Sequence, residues 1–209
     1  MTASGRVVTA HLGSGASMCA LRNGRSIDST LTFSSLDGLP MGTRCGSIDP
    51  GVVLHLLREY GLTVGEVEDI LTCQSGLLGL SGISNDMRVL LDSNEKSARM
   101  AVDYFVYHVG GQLGRLAAAL GGLDALVFTA GIGERSPAIR ARVCHQAKWL
   151  GIEIDADANA RNDLRISLPG RSPSVWVIPT NEERMIAIHT RALMDSVGRQ
   201  SNRAVAQCS

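Results

Sequence analysis

Three short segments of this chain combine glycines with groups that can bind anionic oxygens: "HLGSG" from His11 to Gly15, "FTAGIGERS" from Phe128 to Ser136, and "GISNDMR" from Gly82 to Arg88. In the first, Gly13-Ser14-Gly15 lets backbone amides converge with no Cβ in the way, which makes a concavity for phosphate. The same residues equally close a plain β-hairpin. His11 is either a phosphate donor or a strand-end histidine bonded to backbone. In the second, Gly131 and Gly133 permit close approach of a ligand at the start of a helix, where the backbone dipole favours anions, or they simply pack a strand-to-helix turn. In the third, Asp86 and Arg88 are ligand contacts or a solvated ion pair.

Two further residues have types suited to phosphoryl chemistry. Arg44 sits between Gly42 and Gly46, where a guanidinium could swing over a transferring phosphoryl group, unless it is a surface arginine. Glu182, in "PTNEER", follows a strand and opens a helix, a place suited to holding Mg²⁺ through water or to capping the helix. The remaining histidines, His55, His108, His145 and His189, have no metal-ligand spacing and are read as structural or surface groups.

The elements that must carry these residues follow from pattern. "RVVTAHL", "ASMCALRNG" and "RSIDSTLTFS" are β-branched and apolar runs separated by Gly13-Ser14-Gly15 and Asn23-Gly24, which predicts an antiparallel three-stranded meander. Asp49 and Pro50 open a helix through "GVVLHLLREYG", and Thr63 caps a second at "TVGEVEDILTCQSG". "NEKSARMAVDYFVYHVGGQLGRLAAALGG" predicts a long amphipathic helix with Met100, Tyr104, Tyr107, Leu113, Leu116 and Leu120 on its apolar face. "LDALVFTAG" is a buried strand. A helix from Ser136-Pro137, a polar stretch "DADANARNDL", a strand "SVWVIPT" and a helix from about Asn181 to Val197 complete the chain. The segment carrying Asp86 and Arg88 is read as a loop. The order βββαβαβα predicts one mixed α/β unit over residues 1–209, a mixed central sheet flanked by helices.

Composition narrows the function. The 209 residues carry 20 basic and 20 acidic side chains, so the electrostatic footprint of a nucleic-acid binder is missing and a small ligand is the expected partner. No apolar run approaches the ~20 residues of a membrane span. The N-terminal run lacks the apolar block of a secretory signal, so a cytoplasmic protein is expected. Five scattered cysteines without a CxxC pair read as free thiols, mostly in the core.

Taken together, "VVTAHLGSGASMCALRNG", "LDGLPMGTRCGSIDPG", "GISNDMR", "FTAGIGERS" and "IPTNEE" resemble the acetate kinase family in order and spacing, from about Val7 to Leu193. The resemblance implies an actin, Hsp70 and sugar-kinase type fold, ribonuclease H-like, and transfer of the γ-phosphoryl of ATP to acetate, giving acetyl phosphate and ADP with Mg²⁺ or Mn²⁺. It places Gly13, Ser14 and Gly15 on the β and γ phosphates with His11 beside them. It puts Asp86, Arg88, Gly131, Ile132, Gly133, Glu134 and Arg135 around adenosine, Arg44 at the transition state and Glu182 at the metal. A homodimer is implied.

The resemblance also carries departures. Ser14 stands where the family loop has Asn, Arg135 where it has Asn, and Ser47 where its "GDIDP" stretch has Asp. Family members carry a further domain before the part matched here, supplying the opposing wall of the cleft and most of the acetate pocket. The chain therefore reads as equivalent to the C-terminal nucleotide-binding domain, and alone it is expected to be a poor catalyst, because phosphoryl transfer needs charge stabilisation from both sides. A propionate kinase, or a non-catalytic remnant that binds nucleotide or a partner such as a separately encoded N-terminal half, are the other readings.

Overall fold

The structure, a computed structural model, describes residues 5–171 and 173–206. The chain divides into two compact units, Met1–Ile178 and Pro179–Ser209.

The first unit is built on a sheet whose opening strands follow the predicted meander: β1 (Arg6–Leu12), β2 (Ala16–Arg22) and β3 (Arg25–Ser29). Asn23 and Gly24 both take positive φ, the turn geometry whose twist matches a tight hairpin. The third strand was expected to run on to Ser34 but ends at Ser29. Beyond it the hydroxyls of Ser29 and Ser34 and the carboxylate of Asp37 accept the amides of Leu31, Leu36 and Gly38, so the backbone finds local partners in place of a ladder.

Five helices then precede the fourth strand: α1 (Pro50–Arg58), α2 (Val64–Cys73), α3 (Gly76–Ser81), α4 (Met87–Asp92) and α5 (Lys96–Leu120). After β4 (Ala125–Thr129) come α6 (Ala130–Arg135), α7 (Pro137–Gln146), a 3₁₀ turn at Lys148–Leu150, α8 (Ala156–Ala160) and β5 (Ser174–Val177). Among the described residues the strands form one sheet in the order β3-β2-β1-β4-β5, antiparallel through the meander and parallel at β1/β4 and β4/β5. The α/β class and mixed sheet are as expected.

Helix starts follow their caps. Asp49 accepts the amide of Gly51 ahead of Pro50. Thr63 and Glu66 form a reciprocal capping box, with the Thr63 amide donating to Glu66 Oε2 at 2.7 Å. Thr63→Ala is expected to cost about 1 kcal/mol. The loss should appear as a lower denaturant midpoint at constant slope, and an unchanged midpoint would show that the cap contributes nothing.

The long helix α5 covers the sheet through Ala98, Ala101, Val102, Phe105, Val106, Val109, Leu113, Leu116 and Leu120, all buried. This corrects its N-terminal half, because Met100 and Tyr107 are exposed and Tyr104 is more than a third exposed. Buried positions at Ala98, Ala101, Phe105 and Val109 follow helical spacing one step out of phase with those tyrosines, whose rings tolerate water at the hydroxyl end. The short helices α4, α6 and α8 replace expected loops. Asp86 and Asp155 cap α4 and α8 by accepting the amides of Arg88 and of Asp157 and Ala158.

The cysteines also differ from expectation. Only Cys144 of the four described is buried, while Cys19 and Cys45 are half-buried and Cys73 is exposed. Burial pushes the Cys144 thiol up to about 12, so it stays protonated and unreactive. Cys208 lies outside the described residues.

In the second unit α9 runs Glu182–Ala206, with the Asn181 side chain accepting the amide of Arg184 at 3.0 Å. Among the described residues no helix is long and apolar enough to cross a membrane.

Candidate functional site

The sheet topology brings the first and second glycine segments to one end. β1 and β4 are parallel neighbours in which His11 pairs with Thr129, so the chain leaves both strands on the same side. There the Gly13 amide donates to Gly15 O at 3.0 Å, knotting the turn. A Cβ at Gly13 would sit 3.3 Å from Gly15 O and 3.4 Å from the Ala130 Cβ, so the two segments lie within van der Waals reach of each other. Among the described residues the amides of Ser14 and Gly15 make no hydrogen bond.

The loop carrying Arg44 is stitched to the same turn. The Gly42 amide donates to Ser14 O at 3.0 Å. Met41 N donates to Arg44 O, Ser75 N to Thr43 O, and Leu77 N and Leu78 N to Met41 O and Gly42 O, so the N-terminus of α3 holds the loop's carbonyls. Arg44 is half-buried, and its Nη1 donates to Ser35 O at 3.0 Å. A cavity of about 480 Å³ results, lined by His11, Gly13, Ser14, Gly15, Arg44, Ala130 and Gly131 among others.

Ser35 belongs to a strap folded around one carboxylate. Asp37 accepts from the Thr32 hydroxyl at 2.5 Å, the Ser47 hydroxyl at 2.7 Å and the Gly38 amide at 2.7 Å. These bonds, that of Thr32 first, hold the Asp37 carboxyl below its ordinary value. Ser47 thus donates where an aspartate would set a second carboxylate against the first. Because the folded-state value is depressed, the stability Asp37 contributes is present above about pH 4 and is lost as pH falls through that lower value. Asp37→Asn is expected to flatten the acid limb of a melting-temperature profile, and superimposable profiles would refute it.

A second cavity of about 780 Å³ lies on the other side of the turn, sharing Gly13, Ser14 and Gly131 with the first. Asp86, Arg88, Ile132 and Arg135 also line it. Asp86 and Arg88 pair with each other, Nη2 to Oδ2 at 2.6 Å, and this bond keeps the Asp86 carboxyl below its ordinary value. With the Arg88 side chain 85% exposed, the pair contributes little to stability.

Two residues of the second segment lie elsewhere. Gly133 is buried against Phe128 and Ala10 O, and Glu134 turns inward to accept the amide of Ala130 at 2.8 Å. That bond supports Ala130, which has φ 64, a costly conformation for a residue with a Cβ. Glu182 opens α9 in the second unit. Sequence reasoning missed Asn85, Pro137 and Ala138 in the cavity wall, the Asp37 strap, and Arg140 behind "FTAGIGERS". For Arg140 one signal existed: with Ile139, Val143 and Cys144 it falls on the buried side of α7.

This arrangement defines a mixed α/β protein with two neighbouring cavities that share a glycine-bearing wall at the end of its parallel strands. The chain belongs to the Acetokinase family, whose sequence model matches residues 2–188. It is 59% identical over 195 residues to an acetate kinase of Rhodopseudomonas palustris strain TIE-1, covering 92% of this chain and 49% of that protein. It is likewise 59% identical over 192 residues to an acetate kinase of Nitrobacter hamburgensis, covering 92% and 48%. The solved Porphyromonas gingivalis acetate kinase superposes with a TM-score of 0.85 at 37% identity, over 91% of this chain and 49% of that one. A propionate kinase from Francisella tularensis gives 0.83 at 38%, over 88% and 48%. The chain thus spans about half the length of the curated relatives it matches.

Proposed function

We propose that this chain forms the nucleotide-binding wall of an acetate kinase, the equivalent of the family's C-terminal domain, in an enzyme that transfers the γ-phosphoryl of ATP to acetate. The observation that carries this reading is the adjacency of two cavities, of about 480 and 780 Å³, that share Gly13, Ser14 and Gly131 in their walls. An elongated ligand with a phosphate end and a nucleoside end fits that shape.

In this reading the triphosphate lies on Gly13-Ser14-Gly15, where the unpaired amides of Ser14 and Gly15 meet anionic oxygens, with His11 alongside. Adenosine lies between Asp86 and Arg88 on one side and Gly131, Ile132 and Arg135 on the other, while Gly133 and Glu134 shape that loop from behind. The acetate carboxylate, already an anion, attacks the γ-phosphorus, and the bond from that phosphorus to the β,γ-bridging oxygen breaks. No proton moves. Arg44, at the phosphate end, neutralises charge on the transferring group.

Mg²⁺, or Mn²⁺ with the same oxygen preference, is the cation this reading implies, and Glu182 is the carboxylate assigned to it. When bound, the ion screens the phosphate charges. A cytoplasmic homodimer belongs to the same proposal.

The test is formation of acyl hydroxamate from ATP, Mg²⁺, hydroxylamine and either acetate or propionate. The chain is assayed alone and mixed with the non-matching half of the Rhodopseudomonas relative. Faster turnover with acetate in the mixture is the expected result. Turnover in neither condition would remove the enzymatic reading, and faster turnover with propionate would change the substrate.

A further inference from the structure

Arg140 is the largest fully buried side chain of the first unit, at 0% exposure, yet it makes no ion pair among the described residues. Its guanidinium is spent entirely on neutral oxygens. Nη1 donates to Gly133 O and Glu134 O, both at 2.9 Å; Nε donates to Asn159 Oδ1 at 2.8 Å; Nη2 donates to Asn159 O at 2.8 Å and Asn162 Oδ1 at 2.6 Å. Burying a cation without a counter-charge is expensive, and a well-packed apolar residue in its place is often at least as stable. The arginine therefore answers a need that an apolar side chain cannot meet.

That need lies at the end of α6. The helix is six residues long, and its last carbonyls have no continuing turn to accept from. Ser136 N takes the carbonyl of Ile132, and Arg140 takes the next two, those of Gly133 and Glu134. At the other end Glu134 Oε1 holds the strained Ala130 amide. The segment is thus fastened front and back by two side chains that stay out of the cavity wall, while Gly131, Ile132, Arg135 and Ser136 are presented to the larger cavity.

The support behind Arg140 is built for it. Asn159 is buried on α8, and its amide also donates to Pro137 O at 2.9 Å, just beyond α6. Asn162 holds φ 55, a left-handed conformation that asparagine adopts readily, while its side chain accepts from Arg140. Only a planar fork of donors spans these acceptors together; a lysine ammonium reaches fewer of them.

We propose that Arg140 is a positioning residue for the nucleoside end of the cleft, fixing the Ala130–Arg135 helix and the turn after it while leaving the Gly13-Ser14-Gly15 turn untouched. This rests on the nucleotide reading above. The test compares wild type, Arg140→Lys and Asn162→Gly by calorimetry with two probes, ADP and inorganic pyrophosphate, each with Mg²⁺. Asn162→Gly removes an acceptor but keeps a backbone free to hold positive φ. The expected result is a roughly tenfold or greater rise in the Kd for ADP in Arg140→Lys, a smaller rise in Asn162→Gly, and an unchanged Kd for pyrophosphate in both. Amide exchange at 131–136 should quicken in both variants while β1 keeps its protection.

Equal losses for ADP and pyrophosphate, or no loss for ADP, would overturn the proposal. If Arg140→Lys does not fold, Asn162→Gly makes the same comparison. If wild type takes up neither probe, the nucleotide reading fails, and the exchange measurement still decides on Arg140: unchanged protection at 131–136 would overturn its positioning role.

Discussion

Replacing Arg44 by alanine is expected to lower acetyl phosphate formation by roughly a thousandfold while leaving ADP affinity nearly unchanged, the signature of a group that acts on the transferring phosphoryl rather than on the bound nucleotide. The loop places Arg44 by its backbone: the carbonyls of Met41, Gly42 and Thr43 accept from α3 or the residue before it, and Arg44 O accepts from Met41 N. The guanidinium is held more lightly. Nη1 donates to Ser35 O and approaches Met41 Sδ at 3.3 Å, while Nε and Nη2 make no hydrogen bond among the described residues. A fixed base whose Nη1 lies 3.8 Å from where a Gly15 Cβ would lie, and whose Nε and Nη2 are uncommitted, suits a charge that appears only in the transition state. Arg44→Lys should recover only part of the loss, because a point charge cannot engage two oxygens in parallel. The measurement is kcat and nucleotide KM in whichever assay gives wild-type turnover. A loss confined to KM would reassign Arg44 to ground-state binding.

Local signals made the scaffold of this site legible. Asn23-Gly24, Asp49-Pro50 and the Thr63 cap each act within four residues, and each element began where its signal stood. The helices α3, α4, α6 and α8 were not legible, being five or six residues long and too short to show a period. Their stability comes from partners distant in sequence: α3 from the carbonyls of Met41 and Gly42, α8 from Arg140.

The site divides in the same way. Glycine-bearing segments announce a cradle by residue type alone, but their meeting depends on the parallel pairing of β1 with β4, strands more than a hundred residues apart that no local pattern pairs. Arg140 looked like its helix neighbour Arg142 because its acceptors on Asn159 and Asn162 lie 19 and 22 residues away. Asp37 read as a loop residue for a similar reason, its meaning set by Ser47, 10 residues on.

The glycines bracketing α3 allow steric clash to be separated from backbone strain. Gly76 and Gly82 hold nearly the same left-handed conformation, φ 58 and φ 65. A Cβ at Gly82 would meet nothing within 4 Å, so Gly82→Ala carries only the conformational penalty, about 1 kcal/mol. A Cβ at Gly76 would lie 2.2 Å from Met41 O and 2.7 Å from Arg44 O, both backbone atoms that cannot rotate away. Gly76→Ala must therefore push the Arg44 loop off α3, breaking the bonds from Leu77 N and Leu78 N to Met41 O and Gly42 O. The expected cost is above ~3 kcal/mol, which in a chain of this size lowers the melting temperature by on the order of 10 °C, against about 2–4 °C for Gly82→Ala. Calorimetric scans of the two variants make the comparison, and equal shifts would mean that the loop yields without resisting. The loop also carries Arg44, so Gly76→Ala should lose phosphoryl transfer even at temperatures where it stays folded. Gly82→Ala should keep it, because its added methyl meets nothing within 4 Å and leaves the Arg44 loop in place.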